Sequence, residues 1–368
     1  MSAAYPNTAG ERDRWIRARR PARHGLDPLR PFACLTEQER TDSGEVVSVA
    51  TVFLTNRECP WRCLMCDLWQ NTLTKSVPAG AIPKQIDWAL KELGAARDAG
   101  CASAVRSPGF SRSVPPEGGT TNRGTTNAAR PRQIKLYNSG SFFDPRAIPP
   151  GDYPAIAARV HGFERVTVEC HPSLVGESTL RFRDLLAGQL EVAMGLETVH
   201  PQVLPRLNKR MTLEQFSRAA DFLREHGVAL RVFILVKPPF LDEAEALEWA
   251  KRSVDFAFDC GAAVASLIPT RSGNGALEAL AERGEFSPPR LATLEAALAY
   301  GVGLQRKRVF ADLWDLEKFS DCDRCFSKRK ERLERINLSQ MNEAPVQCRR
   351  CVDLNSARGR PTGRMDGR

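Results

Sequence analysis

Six short apolar runs, each separated from the next by an amphipathic or irregular stretch, constrain this chain more than any other feature. They are VVSVATVFL (46–54), QIKLYNS (133–139), RVTVEC (165–170), LEVAMGL (190–196), ALRVFILV (229–236) and AAVASLIPT (262–270). Most are near-continuously apolar, as a strand must be when both faces of its sheet are covered. Several stretches between them carry helix signals. Pro83 sits near one first turn, Thr212 with Gln215 forms a capping box, and a run opening on Asp242 and Glu243 closes on a glycine. Repeated strand–helix units predict an α/β fold, a (β/α)6 partial barrel with right-handed crossovers. In such sheets reactive groups gather at the carboxyl ends of the strands.

The chain has 368 residues, 42% hydrophobic and 26% charged, a balance that excludes collagen, coiled coil and full-length disorder. No run of about 18 apolar residues is present, so no membrane-spanning helix is expected. The first residues lack the apolar core of a secretory signal, and a cytoplasmic protein is expected. The net charge of +9 favours a polyanionic partner without proving one. Residues 1–44 read as an Arg-rich extension, either a solvated arm or a phosphate-contacting one. Residues 45–310 hold the barrel, interrupted by a Pro-, Gly- and Thr-rich stretch (105–132) expected to be a disordered insertion. A cysteine-rich module (311–353) and a disordered tail (354–368) complete the expected organisation.

Eleven cysteines without an export signal point to metal binding or chemistry rather than disulfides. Just after the first strand, Cys59, Cys63 and Cys66 have the spacing C-x3-C-x2-C. Three thiolates on one short loop can face a common centre. A zinc site completed by Asp67 is one reading. The other is an iron–sulfur cube held by three thiolates, with one iron left open to a chelating ligand.

This segment resembles the signature of the radical S-adenosylmethionine superfamily, C-x3-C-x-Φ-C, with Met65 where the family usually has an aromatic residue. The segments YNSGSFFD (137–144), ECHP (169–172), GLET (195–198), NKRMTLEQF (208–216), LVKPPF (235–240) and LIPTRSGNG (267–275) extend the likeness. They are similar to the branch that contains the Elongator catalytic subunit, MiaB and NifB, and within it to archaeosine-synthase radical subunits and their bacterial relatives. The resemblance implies a partial TIM-type barrel, a [4Fe-4S] cluster on Cys59, Cys63 and Cys66, and S-adenosylmethionine on its open iron. It implies that Met65 packs on the adenine and that the turn at Ser139 and Gly140 receives the amino group. At the ends of the third and fourth strands, Glu169 and Glu197 can accept from an ammonium or ribose hydroxyls or stand as solvated strand-end acids, and after the fifth and sixth, Lys237 and Arg271 can hold the methionine carboxylate or a substrate phosphate or serve only loop solvation. His171 is a candidate proton donor or a structural residue. Cys34, Cys101, Cys170 and Cys260 are scattered singly and read as inert thiols.

Near the C-terminus, Cys322/Cys325 and Cys348/Cys351 form two C-x2-C pairs with 22 residues between them. Four thiolates suit zinc; a second iron–sulfur cluster uses the same donors, and spacing does not separate them. Between the pairs, Lys328, Arg329, Lys330, Arg332 and Arg335 make a basic helix, an RNA clamp or a solvated face. The resemblance implies a modified tRNA nucleobase as substrate, a partner enzyme supplying it, and a reductase, flavodoxin or ferredoxin as electron donor. A small-molecule substrate and a non-catalytic zinc-binding nucleic-acid protein are the competing functions.

Overall fold

The computed structural model describes residues 4–98, 105–106 and 130–351. The tail expected from 354 and most of the insertion expected at 105–132 lie outside the described residues. Nine strands form one sheet in the order β3-β1-β2-β4-β5-β6-β7-β8-β9. Seven run parallel and curl into a half-barrel: β2 (Val46–Phe53), β4 (Gln133–Tyr137), β5 (Arg165–Glu169), β6 (Gln189–Glu197), β7 (Ala229–Val236), β8 (Val264–Pro269) and β9 (Arg308–Ala311). The first six are the expected strands. The seventh, RVFA, is only four residues long and follows a basic stretch, so its sequence signal is weak.

The sheet also begins earlier than residue 45. β1 (Ala33–Arg40) pairs antiparallel with β2 from Ala33↔Phe53 to Arg40↔Val46, and the two-residue β3 (Val105–Arg106) pairs with β1. The stretch read as an Arg-rich extension therefore supplies an edge strand. It also supplies a helix, α1 (Ala9–Arg17), whose Trp15 and Ile16 are buried with Tyr5, Leu64, Leu277 and Leu280.

Helices α2 (Ala81–Asp98), α3 (Tyr153–Val160), α4 (Glu177–Arg183), α5 (Val203–Arg206), α6 (Leu213–Glu225), α7 (Glu243–Asp259), α8 (Ala276–Ala281), α9 (Leu291–Gly303) and α10 (Asp323–Ser339) follow in chain order. In α6 the residues Phe216, Ala219, Ala220 and Leu223 recur at helical spacing and are buried, which is the stripe that holds a helix on a sheet. The expected capping box forms: Gln215 N donates to Thr212 Oγ1 at 3.2 Å and Thr212 N to Gln215 Oε1 at 3.0 Å.

The lower half of the barrel is filled by charge. Arg231 donates to Glu39 Oε1 at 2.5 Å and Glu191 Oε1 at 2.7 Å, and Lys135 pairs with Glu39 at 2.5 Å and Glu37 at 2.8 Å. Burial pushes the Glu39 carboxyl up, but Arg231 and Lys135 together hold it well below the usual carboxylate range. This floor leaves the upper half, at the strand carboxyl ends, as the place where a site can form.

Candidate active site at the carboxyl ends of the strands

The cysteine loop leaves β2 and is pinned from four directions. Leu64 N donates to Leu207 O at 2.8 Å, and Glu58 N donates to Leu73 O at 2.8 Å. Asn208 Nδ2 donates to Arg62 O at 2.8 Å, and Asn274 Nδ2 to Leu64 O at 2.7 Å. From the N-terminal segment, Arg20 and Arg23 converge with Arg62 on Glu58, at 2.7 Å for Arg20 and 3.2 Å for Arg62. Tyr5 Oη donates to Arg206 O at 2.7 Å and Asp13 accepts from Asn208 at 2.8 Å, so residues 5–24 strap across the mouth.

Cys59, Cys63 and Cys66 are half-buried and act on one another electrostatically. Burial pushes each thiol up to about 12, against the pull of the Lys209 ammonium on Cys59 and Cys63. Thiols in this state ionise when a metal cation supplies the missing positive charge. Among the described residues, the ligand atoms of the four C-terminal cysteines lie within 4.8 Å of one another. A tetrahedral ion with bonds of about 2.3 Å needs sulfurs about 3.8 Å apart. Three thiols on one loop leave a fourth position to an outside ligand, which suits a cluster with one iron free of protein.

The opposite wall comes from β4, β5 and β6. Glu169 accepts from Asn138 N at 2.9 Å and also from the backbone of Gly140 and Ser139. Burial raises its carboxyl to about 7 against the pull of those N–H groups and of Lys209. A Cβ on Gly140 would stand 3.1 Å from Cys59 Cβ, so glycine lets this turn approach the cysteine loop. Asn138 is fully buried, and its Nδ2 and Oδ1 have no hydrogen-bond partner among the described residues. A buried amide in that condition calls for a partner, whether water, ion or ligand. The donor set and this cradle fit a cluster with an amino-acid-bearing ligand beside it.

Glu197 is re-aimed by a bulge between Gly195 and Glu197, where its φ is +67°. It binds buried Lys209 at 2.6 Å. A Cβ at Gly195 would overlap both partners, which accounts for the glycine. His171 stacks on Trp61 of the cysteine loop and bonds Ser173 Oγ at 2.8 Å and Lys209 O at 3.1 Å. Burial, then Lys209, lowers it to about 3, so it is neutral and acts by packing.

The other expected residues are placed differently. Met65 packs against two apolar clusters, one holding Tyr5, Trp15 and Leu64 and the other Val203 and Leu207. Lys237 is buried against Glu243 at 2.9 Å and Ser287 Oγ at 2.7 Å. Arg271 binds Asp312 at 2.8 Å and Trp314 O at 2.6 Å, while its charge still acts on Asp67. Sequence reading misses Lys209, Asn208 and Asn274 as individual residues, although the segments NKRMTLEQF and LIPTRSGNG carry them. It also takes the basic C-terminal helix as a surface. Arg329 pairs with Glu295 at 2.6 Å, Arg335 with Glu343 at 2.8 Å, and buried Arg332 donates to Glu343 O at 2.6 Å. Lys328 and Lys330 remain exposed.

No family model matches the chain. It is 32% identical over 164 residues to archaeosine synthase subunit beta of Methanosarcina acetivorans, covering 43% of this chain and 47% of that protein. It is 28% identical over 189 residues to archaeosine synthase subunit beta of Thermococcus kodakarensis, covering 50% and 58%. An uncharacterized protein of Methanocaldococcus jannaschii is 26% identical over 237 residues, covering 58% and 62%. The chain thus spans roughly half to three-fifths of the length of the curated relatives it matches. Among solved structures, archaeal Methanocaldococcus infernus Elp3 with an N-terminal deletion has a TM-score of 0.43 and 15% identity, covering 56% and 55%. The half-barrel, its three-cysteine loop and these sequence relatives relate the chain to the radical S-adenosylmethionine superfamily. Its named sequence relatives are archaeosine synthase beta subunits.

Proposed function

We propose that this chain is a radical S-adenosylmethionine enzyme that modifies a nucleobase of tRNA. The observation that carries the first part is the three-cysteine loop, with the Lys209 ammonium acting on Cys59 and Cys63, the Gly140 turn close against Cys59, and the unpartnered Asn138 amide on that same turn. In this reading Cys59, Cys63 and Cys66 hold a [4Fe-4S] cluster. Bound there with S-adenosylmethionine, such a cluster would supply the one-electron chemistry of reductive sulfonium cleavage.

The chain's own residues bind and orient. Glu169 receives the amino group of the methionine moiety at the turn formed by Asn138, Ser139 and Gly140. The positive charge of that group draws the carboxyl below its raised value. The Lys209 ammonium, held in place by Glu197, offsets part of the negative charge of three thiolates in a half-buried site. Met65 packs on the adenine. The methionine carboxylate, assigned from sequence to Lys237 or Arg271, needs one of them to leave Glu243 or Asp312. The strap of residues 5–24 keeps water from the cysteine loop.

The tRNA substrate is supported by the names of the relatives and by the +9 charge. The internal pairing of Arg329, Arg332 and Arg335 favours a small-molecule substrate instead. A flavodoxin or ferredoxin supplies the electron, a partner enzyme supplies the modified base, and the cytoplasm suits a thiol-rich chain. Among the described residues, no helix is long and apolar enough to cross a membrane.

The deciding experiment is anaerobic reconstitution followed by measurement of 5′-deoxyadenosine with and without bulk tRNA. Formation that rises with tRNA, and tRNA binding that weakens steeply with salt, support the proposal. Formation indifferent to tRNA supports the small-molecule reading. A colourless reconstituted protein defeats both.

A further inference from the structure

The four C-terminal cysteines lie outside the site just described and stand close together. Cys322 Sγ is 3.9 Å from Cys348 Sγ and Cys325 Sγ is 3.4 Å from Cys351 Sγ, and all four sulfurs lie within 4.8 Å of one another. Four thiolates on one tetrahedral ion stand about 3.8 Å apart when each bond is about 2.3 Å. Thiolates on a four-iron cube each bind a different iron and stand further apart. The tetrad is therefore sized for one ion. Four soft donors in a closed tetrahedron, with no position left for water, suit structural zinc.

The position of the tetrad says what the ion holds. Cys322 and Cys325 lie at the start of α10, and Cys348 and Cys351 on the segment that returns past it. α10 covers β9, the last strand of the sheet order. Asn337 Nδ2 donates to Ala311 O at 2.9 Å and its Oδ1 accepts from Ala311 N at 2.9 Å. Gln340 treats Val309 the same way, at 2.8 and 2.9 Å. Two side-chain amides thus satisfy the outward peptide groups of alternate residues, as an eighth parallel strand would. Leu333 and Ile336 anchor the helix in the main core, and Arg332 and Arg335 bind it to the returning segment at Glu343.

We propose that Cys322, Cys325, Cys348 and Cys351 hold a single zinc ion, and that this ion keeps α10 seated as the cover of the β9 edge. It stabilises the barrel and takes no part in the radical reaction.

The test uses the full chain and its Cys59→Ala/Cys63→Ala/Cys66→Ala variant, purified anaerobically, with zinc, iron and sulfide measured per chain. Backbone hydrogen exchange is then followed before and after zinc is stripped with a chelator. The proposal expects one zinc in both proteins, iron and sulfide only in the parent, and at least tenfold faster exchange of the Val309 and Ala311 amides after stripping. A Cys348→Ser/Cys351→Ser variant is expected to lose the zinc and keep its iron; if it does not fold, the stripped parent gives the same readout. Iron and sulfide in the triple variant would overturn the single-ion assignment. Unchanged exchange at Val309 and Ala311 after zinc loss would overturn the edge-cover role.

Discussion

The Trp61 ring lies flat on the His171 imidazole, with centroids 3.8 Å apart and planes 9° from parallel. Trp61 stands between Cys59 and Cys63, and His171 follows β5, so this one contact fixes the cysteine loop against the wall that carries Glu169. Stacked pairs contribute about 0.5–1.5 kcal/mol beyond burial. A Trp61→Ala variant is expected to lose iron faster than the parent after gel filtration, while its far-UV circular dichroism stays unchanged. Full iron retention would show that the backbone hydrogen bonds hold the loop alone.

The same stack gives a pH dependence. Burial lowers His171 from 6.5 to about 3, so the unfolded state binds more protons between these values. This contribution to stability is complete above about pH 6.5 and falls as the pH drops toward 3, at up to about 1.4 kcal/mol per pH unit. Urea midpoints of the full chain at pH 7 and pH 5 are expected to differ by more than those of His171→Gln. Equal differences would mean that the imidazole is solvated.

Glu169 works in the opposite direction. Its carboxyl is raised to about 7, so folding favours the protonated form, and this part of the stability is lost as pH rises through 7. An ammonium ligand needs the ionised form. S-adenosylmethionine affinity is therefore expected to fall about tenfold per pH unit below 7 and to level off above 8. Isothermal titration with the reconstituted protein checks this. Glu169→Gln is expected to bind weakly at every pH, and a pH profile unchanged by that substitution would remove Glu169 from the ligand site.

A buried charge pair beside the thiols sets the next expectation. Lys209 and Glu197 are both buried and stand 2.6 Å apart. Lys209→Met leaves the carboxylate alone in a dry site, which typically costs about 3–5 kcal/mol. Lys209→Met/Glu197→Gln is expected to recover most of that stability in urea unfolding. It should still lose iron faster than the parent, because the ammonium that offsets the thiolates is gone. Iron retention equal to the parent would confine the pair to a structural role.

What the sequence makes legible follows the physics of each signal. The six strands can be read because their runs are apolar on both faces. The cysteine loop can be read because three thiols so close together in sequence rarely serve anything but a metal. Lys209 is not legible. It lies 12 residues beyond Glu197, in the loop before α6, and only folding brings the two together. The bulge that aims Glu197 leaves no mark except Gly195, one glycine among 26. Lys237 and Arg271 stand after their strands as expected, but Glu243 and Asp312 already hold them.

β1 escapes notice for a related reason, and it yields the last prediction. Its sequence, ACLTEQER, is half charged at its end, which reads as surface. In the fold those acids point into the barrel: Glu39 meets Arg231 on β7 and Lys135 on β4, both at 2.5 Å. The carboxyl is held below its ordinary range, so its contribution is present above about pH 4.5 and is lost as pH falls below that value. Glu39→Leu is expected to destabilise the chain by about 3–5 kcal/mol, since two buried cations lose a shared partner. Glu39→Gln keeps the shape and removes the charge. Its stability should therefore change less than the parent's between pH 4.5 and pH 3, the range in which the lowered carboxyl of Glu39 matters most. Acid unfolding profiles that coincide for the parent and Glu39→Gln would mean that β1 is held by its backbone pairing with β2 alone.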